Sequence, residues 1–96
     1  MASKRILKKD IKFLTTQIIE ECYTCSYLFP EVEEAKIDEI INDSLSMYKS
    51  LIKKINQPGE IEGKGAVKKL YKGVYNDLIS TSDVLLGRLN ILASPK

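Results

Sequence analysis

Apolar residues recur every three or four positions along three long stretches of this chain, and this spacing limits the fold more than any other feature. An α-helix has 3.6 residues per turn, so side chains at this spacing share one face of a helix. The repeat therefore predicts three amphipathic helices. Its members in the first stretch are Leu7, Ile11, Leu14, Ile18, Cys22, Cys25 and Phe29. In the second they are Ile37, Ile40, Ile41, Leu45, Tyr48, Leu51, Ile52 and Ile55, and in the third Val67, Leu70, Tyr71, Val74, Leu78, Leu85, Leu89 and Leu92.

Breaker residues separate the three stretches. Pro30 has no N–H and disfavours helical backbone in the residue before it, so helix 1 is predicted to end at Phe29. Pro30 is compatible with the first turn of helix 2, where the following acids suit the positive end of the helix dipole. A second breaker cluster at residues 56–59 predicts the end of helix 2. The predicted helices span residues 4–29, 31–56 and 65–93.

Three local features refine these helices. Ser3 is the predicted N-cap of helix 1, and the stretch 57–65, which holds three glycines, is predicted to be an exposed loop. Residues 80–83 are poor helix formers whose side chains can hydrogen-bond back to the chain. Because the apolar repeat continues beyond them, one long third helix is favoured over two short ones.

The fold class follows from these elements. No stretch alternates apolar and polar residues for long enough to predict a strand. A chain of 96 residues fits one domain and leaves no room for a second core. Three helices of similar length with short connections predict an all-α fold, an up-down-up antiparallel three-helix bundle. We expect residues 1–96 to form this single domain.

The sequence also predicts where the protein resides. The basic N-terminus is not followed by the apolar run of a secretory signal. The longest apolar run, at residues 84–86, is far shorter than the roughly 20 residues that span a bilayer. Two cysteines are too few for a disulfide framework and fit a reducing compartment. We therefore expect a cytoplasmic location and no membrane partner.

Catalytic chemistry has little support in the sequence. The chain contains no histidine, the commonest general base and metal ligand, which excludes Ser-His-Asp triads and histidine metal sites. The glycines near residue 60 do not match a phosphate-binding loop. The acidic residues lack the Glu-x-x-His motif of di-iron bundles, which favours a solvated acidic face. We predict that the protein is not an enzyme, with no catalytic residue, no metal and no cofactor.

Cys22 and Cys25 have the C-x-x-C spacing of redox sites and of half a four-thiolate zinc site. Both lie on the apolar face in the middle of helix 1, whereas redox pairs lie near a helix N-terminus. Buried, unligated thiols are the favoured interpretation. An intersubunit metal site and a redox pair are the alternatives.

Some apolar residues lie outside the main repeats and exceed what a three-helix core needs. Contiguous exposed apolar area usually marks an interface, and small helical domains commonly pair about a two-fold axis. We therefore expect a homodimer. The alternative is that lysine stems cover these residues, or that they are scattered over the surface. The candidate dimer interface comprises Phe13, Ile19, Tyr23, Tyr75, Ile79 and Leu86.

Charge is distributed unevenly along the predicted bundle. An up-down-up arrangement gathers the start of helix 1, the end of helix 2 and the start of helix 3 at one end, which we call the basic pole. Twelve cations against three acids give it a charge of +9, and three cations against ten acids give the opposite end −7. Lysines at a helix start oppose the helix dipole, so helix stability does not explain the clustering. A functional role and a merely solubilising role are both open. The basic pole comprises Lys4, Arg5, Lys8, Lys9, Lys12, Lys49, Lys53, Lys54, Lys64, Lys68, Lys69 and Lys72.

Three short segments carry a family resemblance: residues 8–14, 27–31 and 55–58. Together they resemble a family of small helical bacterial proteins of unknown function. The resemblance implies conserved caps and corners of helices and supplies no functional residue. We interpret the chain as a non-enzymatic protein–protein interaction module with an unknown protein partner. The alternative is weak, non-specific binding of nucleic acid or another polyanion by the basic pole, the candidate anion-binding surface.

Overall fold

The computed structural model of the chain describes residues 4–56 and 64–93. Helix α1 spans Lys4–Leu28, α2 spans Glu34–Ile55 and α3 spans Lys64–Ala93. No strand occurs in the described ranges, so the all-α prediction is confirmed. The third helix continues through residues 80–83 without interruption, as predicted. The predicted N-cap Ser3 and most of the predicted loop lie outside the described residues.

The connection between α1 and α2 differs from the prediction. Helix α2 begins at Glu34, so Pro30 is not part of its first turn. Residues 29–33 instead form a turn in which the Val32 N–H donates to the Phe29 carbonyl at 3.0 Å. Val32 and Phe29 are both packed against the core. Burial of these apolar side chains outweighs the weak preference of proline for a helix start.

All three helices contact one another and lie along the long axis of a molecule that measures 52 × 18 × 16 Å. Helices α2 and α3 are antiparallel, because Asp43 pairs with Arg88 and the later residue Lys54 pairs with the earlier residue Asp77. Helices α1 and α2 lie side by side and are joined by residues 29–33 alone, a connection too short for a parallel return. The bundle therefore runs up-down-up.

Buried residues from the three helices line up in layers along the bundle. The Ser82 hydroxyl lies 3.9 Å from the Met47 sulfur, which sets the register between α2 and α3. Counting from this contact and from the α1–α2 turn places Ile11, Leu51 and Leu78 at one level. The buried apolar residues are Leu7, Ile11, Ile18, Cys22, Cys25, Ile37, Ile40, Met47, Leu51, Ile55, Val74, Leu78, Leu85 and Leu89. All of these except Met47 belong to the predicted apolar repeats.

Three small hydroxyl side chains are buried in the middle of the core, one from each helix: Thr15, Ser44 and Ser82. The Thr15 hydroxyl donates to the Ile11 carbonyl at 2.8 Å, and the Ser44 hydroxyl donates to the Ile40 carbonyl at 2.8 Å. Because each hydroxyl bonds within its own helix or to a sulfur, its burial leaves no polar group unpaired.

Candidate interaction surfaces

Helix α3 has one flank that faces α2 and one that faces away from it. Asp77 and Arg88 mark the first flank, because they pair with Lys54 and Asp43 of α2. Tyr75 and Ile79 each lie two residues from Asp77, which is about 200° of rotation around the helix. They are 43% and 38% exposed, and they lie on the flank away from α2, toward α1.

Leu86 of α3 lies on the same flank as Tyr75 and Ile79, since it is two residues from Arg88. It differs from them in being half-buried and packed against the core. Leu86 therefore contributes the inner edge of this surface rather than a protruding side chain.

Phe13 extends this surface onto α1. Right-handed helices of known direction leave one position for α1 once Asp77 and Arg88 face α2. In that arrangement the side of α1 that carries Phe13 and Leu14 faces α3, and Phe13 is 65% exposed. Ile6 lies seven residues earlier on the same side and is 52% exposed. We call the surface formed by Ile6, Phe13, Tyr75, Ile79 and Leu86 the α1–α3 face.

The predicted dimer interface is divided between two surfaces. Ile19 and Tyr23 lie on the opposite side of α1, along the contact between α1 and α2. Ile19 is half-buried, whereas Tyr23 is largely exposed. One flat two-fold interface cannot use both sides of α1. The structure therefore brings Phe13, Tyr75, Ile79 and Leu86 together and separates them from Ile19 and Tyr23.

Sequence analysis missed three exposed apolar residues. Ile6 joins the α1–α3 face, while Val84 and Ile91 form a second exposed pair on α3. Val84 and Ile91 are seven residues apart and so share one side of the helix. Spacings of seven residues outside the main repeats are the signal that would have found all three.

An open, shallow cleft of about 240 Å³ lies between the start of α2 and the end of α3. Its lining residues are Lys36, Glu39, Ile40, Arg88, Ile91 and Leu92. Arg88 is already engaged, because its guanidinium donates to the Asp43 carboxylate at 2.6 Å. The cleft therefore combines a solvent-exposed charged rim with an apolar floor and has no nucleophile beside a base.

The basic pole is more extended than the sequence predicted. Lys49 of α2 lies between Met47, which contacts Ser82, and Lys54, which pairs with Asp77. Lys49 is thus near the middle of the bundle, and Lys12 of α1 lies at the same level. The described members are exposed except for the half-buried Lys4 and Lys8, and Lys64 belongs to the first turn of α3.

One acid changes its place in the charge distribution. Asp77 was assigned to the acidic end, but its carboxylate lies 3.4 Å from the Lys54 ammonium in the basic pole. With Asp77 included, twelve cations against four acids give the basic pole +8, and the opposite end has −6. Both side chains of the pair are about half exposed, so it contributes at most about 1 kcal/mol to stability.

Cys22 and Cys25 are both buried and free, which confirms the predicted burial of the thiols. Burial raises the pKa of Cys22 to about 11, with smaller effects from Cys25 and Glu21. Burial, followed by the Glu31 charge, also raises the pKa of Cys25. A thiol with a raised pKa is protonated at neutral pH and is a poor nucleophile and metal ligand. Within the described residues, no group of three or more Cys, His, Asp or Glu side chains could hold a metal ion.

In the described part of the chain, no helix is both long enough and apolar enough to cross a membrane. Comparison of the chain with protein-family models, with curated proteins and with solved structures gives no match. The family resemblance of residues 8–14, 27–31 and 55–58 therefore stays a prediction. A functional proposal for this bundle depends on its own surfaces.

Proposed function

We propose that this protein is a non-enzymatic helical interaction module that forms a homodimer through its α1–α3 face and presents its charged ends to another macromolecule. The observation that carries the proposal is the contiguous exposure of Phe13, Tyr75 and Ile79 on that face. Large apolar side chains that share one exposed surface favour an interface, because pairing removes their area from water.

The dimensions of the molecule favour its sides over its ends as the dimer interface. A side measures 52 × 18 Å, about 900 Å², whereas an end measures 18 × 16 Å, about 290 Å². A stable interface buries about 800 Å² on each partner. A side is therefore large enough for a stable pair, and an end is not.

The chemistry of the side chains supports a role without catalysis. The sequence contains no histidine, and both thiols are buried with raised pKa values. The open cleft beside Arg88 holds charged groups but no pairing of nucleophile and base. These features favour binding over bond-making chemistry.

Sedimentation equilibrium at micromolar concentration tests the proposal. Phe13→Glu should raise the dimer Kd by at least about a hundredfold, because each dimer loses two buried phenylalanines at roughly 1.5–3 kcal/mol apiece. Ile91→Glu is the matched control, since Ile91 is 76% exposed but lies outside the α1–α3 face. A monomeric wild-type protein across the whole concentration range would refute the dimer. Equal effects of the two substitutions would place the interface elsewhere.

The second candidate function is weak binding of a polyanion by the basic pole. In the described part of the chain, Lys54 is the one member of the pole that forms an ion pair, so the other described cations are available to phosphates. Lysine acts as a compact point charge, and base-edge recognition favours arginine, of which the pole has only Arg5. Binding through this surface should therefore be independent of sequence.

A salt titration with labelled duplex DNA tests this second candidate. Four or five phosphate contacts predict a log–log salt slope of about −4, from roughly −0.9 per contact. Replacing Lys8, Lys9, Lys68 and Lys69 by glutamine should flatten the slope. Lys36→Gln at the opposite end should leave it unchanged. Absence of binding at low salt, or binding that ignores salt and the four substitutions, would contradict a role for the basic pole.

A further inference from the structure

The α1–α3 face carries both kinds of charge, in separate halves. On α1, Lys9 lies one turn before Phe13, and Glu20 lies seven residues after it on the same side. On α3, Lys72 lies seven residues before Ile79, and Asp83 lies one turn after it. Lys9, Glu20, Lys72 and Asp83 are all exposed. Asp10, half-buried beside Lys9, is an acid within the basic half of the face.

Phe13 and Ile79 lie at almost the same level of the bundle. Leu78 shares its layer with Ile11, so the next residue Ile79 lies within about 2 Å of the level of Phe13 along the axis. The apolar centre of the face is therefore compact, with positive charge on one side of it along the helices and negative charge on the other.

We propose that two copies pair through their α1–α3 faces in antiparallel orientation, so that Glu20 of each copy approaches Lys9 of the other. The proposal rests on the proposed dimer and adds its geometry. A two-fold axis across the face, perpendicular to the helices, sets α1 against the partner's α1 and α3 against the partner's α3. Phe13 and Ile79 then lie beside the axis and meet their own copies.

Charge complementarity selects this orientation. An axis along the helices would instead set α1 against the partner's α3 and would place the two basic poles, each with a charge of +8, side by side. The antiparallel orientation places each basic pole over the partner's acidic end, of charge −6. Like charges across an interface oppose association, and complementary charges favour it.

The Glu20–Lys9 pair can form only between chains. Within one chain these residues are 11 positions apart, roughly 16 Å along α1, which is too far for an ion pair. In the antiparallel dimer centred on Phe13, Lys9 lies at the level of the partner's Gln17. Glu20 is less than one turn from that level, so the two charged side chains can reach each other.

A charge-exchange experiment tests the geometry, with dimer Kd measured by sedimentation equilibrium at low salt. Lys9→Glu and Glu20→Lys should each raise Kd by about tenfold, because each replaces two symmetry-related attractions by repulsions. The double variant Lys9→Glu/Glu20→Lys should return Kd to within about threefold of the wild-type value, since the pairs re-form with reversed sign. Lys36→Glu on α2 repeats the charge change outside the face and should leave Kd unaltered. Circular dichroism checks that each variant folds.

The outcomes separate this inference from the proposed dimer. If the wild type dimerises but the double variant is as weak as either single variant, the antiparallel arrangement is wrong and the dimer stands. If the wild type is a monomer, both fail. Salt supplies an independent sign. From about 10 mM to about 150 mM the Debye length falls from about 30 Å to about 8 Å, which should weaken an antiparallel dimer and strengthen a parallel one.

Discussion

Replacing Gly73 by alanine should stabilise the bundle by about 1 kcal/mol. Gly73 lies inside α3, more than two turns from the start of that helix at Lys64. A Cβ added there would meet no heavy atom within 4 Å. Glycine in a helix interior costs about 0.8–1.0 kcal/mol relative to alanine, because it loses more backbone freedom on folding. Nothing in the described structure offsets that cost.

The expected signal is large enough to measure. For a domain of this size, about 1 kcal/mol raises Tm by roughly 4–8 °C. In urea the midpoint should rise by about 0.5 M, for a slope near 2 kcal/mol per molar. Both quantities follow from thermal and urea unfolding monitored by circular dichroism.

Gly65→Ala is the matched control for Gly73→Ala. Gly65 also has open space at its Cβ position, but it is the second residue of α3, where a helix frays and the alanine gain is smaller. Gly73 lies about 120° around α3 from Ile79, outside the α1–α3 face, so the dimer Kd should not change. If Gly73→Ala lowers Tm, the outer side of α3 is packed against another chain in solution, and the reasoning from open space is wrong.

Two further predictions address the core and the thiols. Leu78→Ala should destabilise the protein by about 3–5 kcal/mol because Leu78 is fully buried, whereas Ile91→Ala on the surface should cost under about 0.5 kcal/mol; similar urea midpoints for the two variants would contradict the core assignment. Burial raises the pKa of Cys22 from 9.0 to about 11, so the unfolded chain releases this proton first and stability should fall as pH rises from about 9 to 11. Cys22→Ala should reduce that loss, and fast labelling of the native Cys22 thiol at neutral pH would overturn the interpretation.

Local pattern predicted most of the fold, and its errors have physical causes. The apolar repeat included Leu45, yet this residue is 41% exposed, while the neighbouring Met47 is buried against Ser82. Both residues border the same apolar side of α2. Which of them is covered depends on where α1 and α3 lie around that helix, and no local spacing contains this information.

The turn between α1 and α2 shows a second limit of local rules. Pro30 has the chemistry of a first helical residue, but α2 begins at Glu34. The turn at residues 29–33 places Val32 against the core, and that burial exists only once the helices are packed.

The same distinction holds for the interaction surfaces. The sequence by itself determined the three helices, their order and the separation of charge along them, because helical period and connection length act between near neighbours in the chain. Only the tertiary structure decided that Phe13 shares a face with Ile79 while Ile19 lies on another, and that Asp77 belongs with Lys54. The rotation of each helix about its own axis, and the register between helices, are decided by packing between residues far apart in the chain. Those two variables determine which exposed side chains can act together.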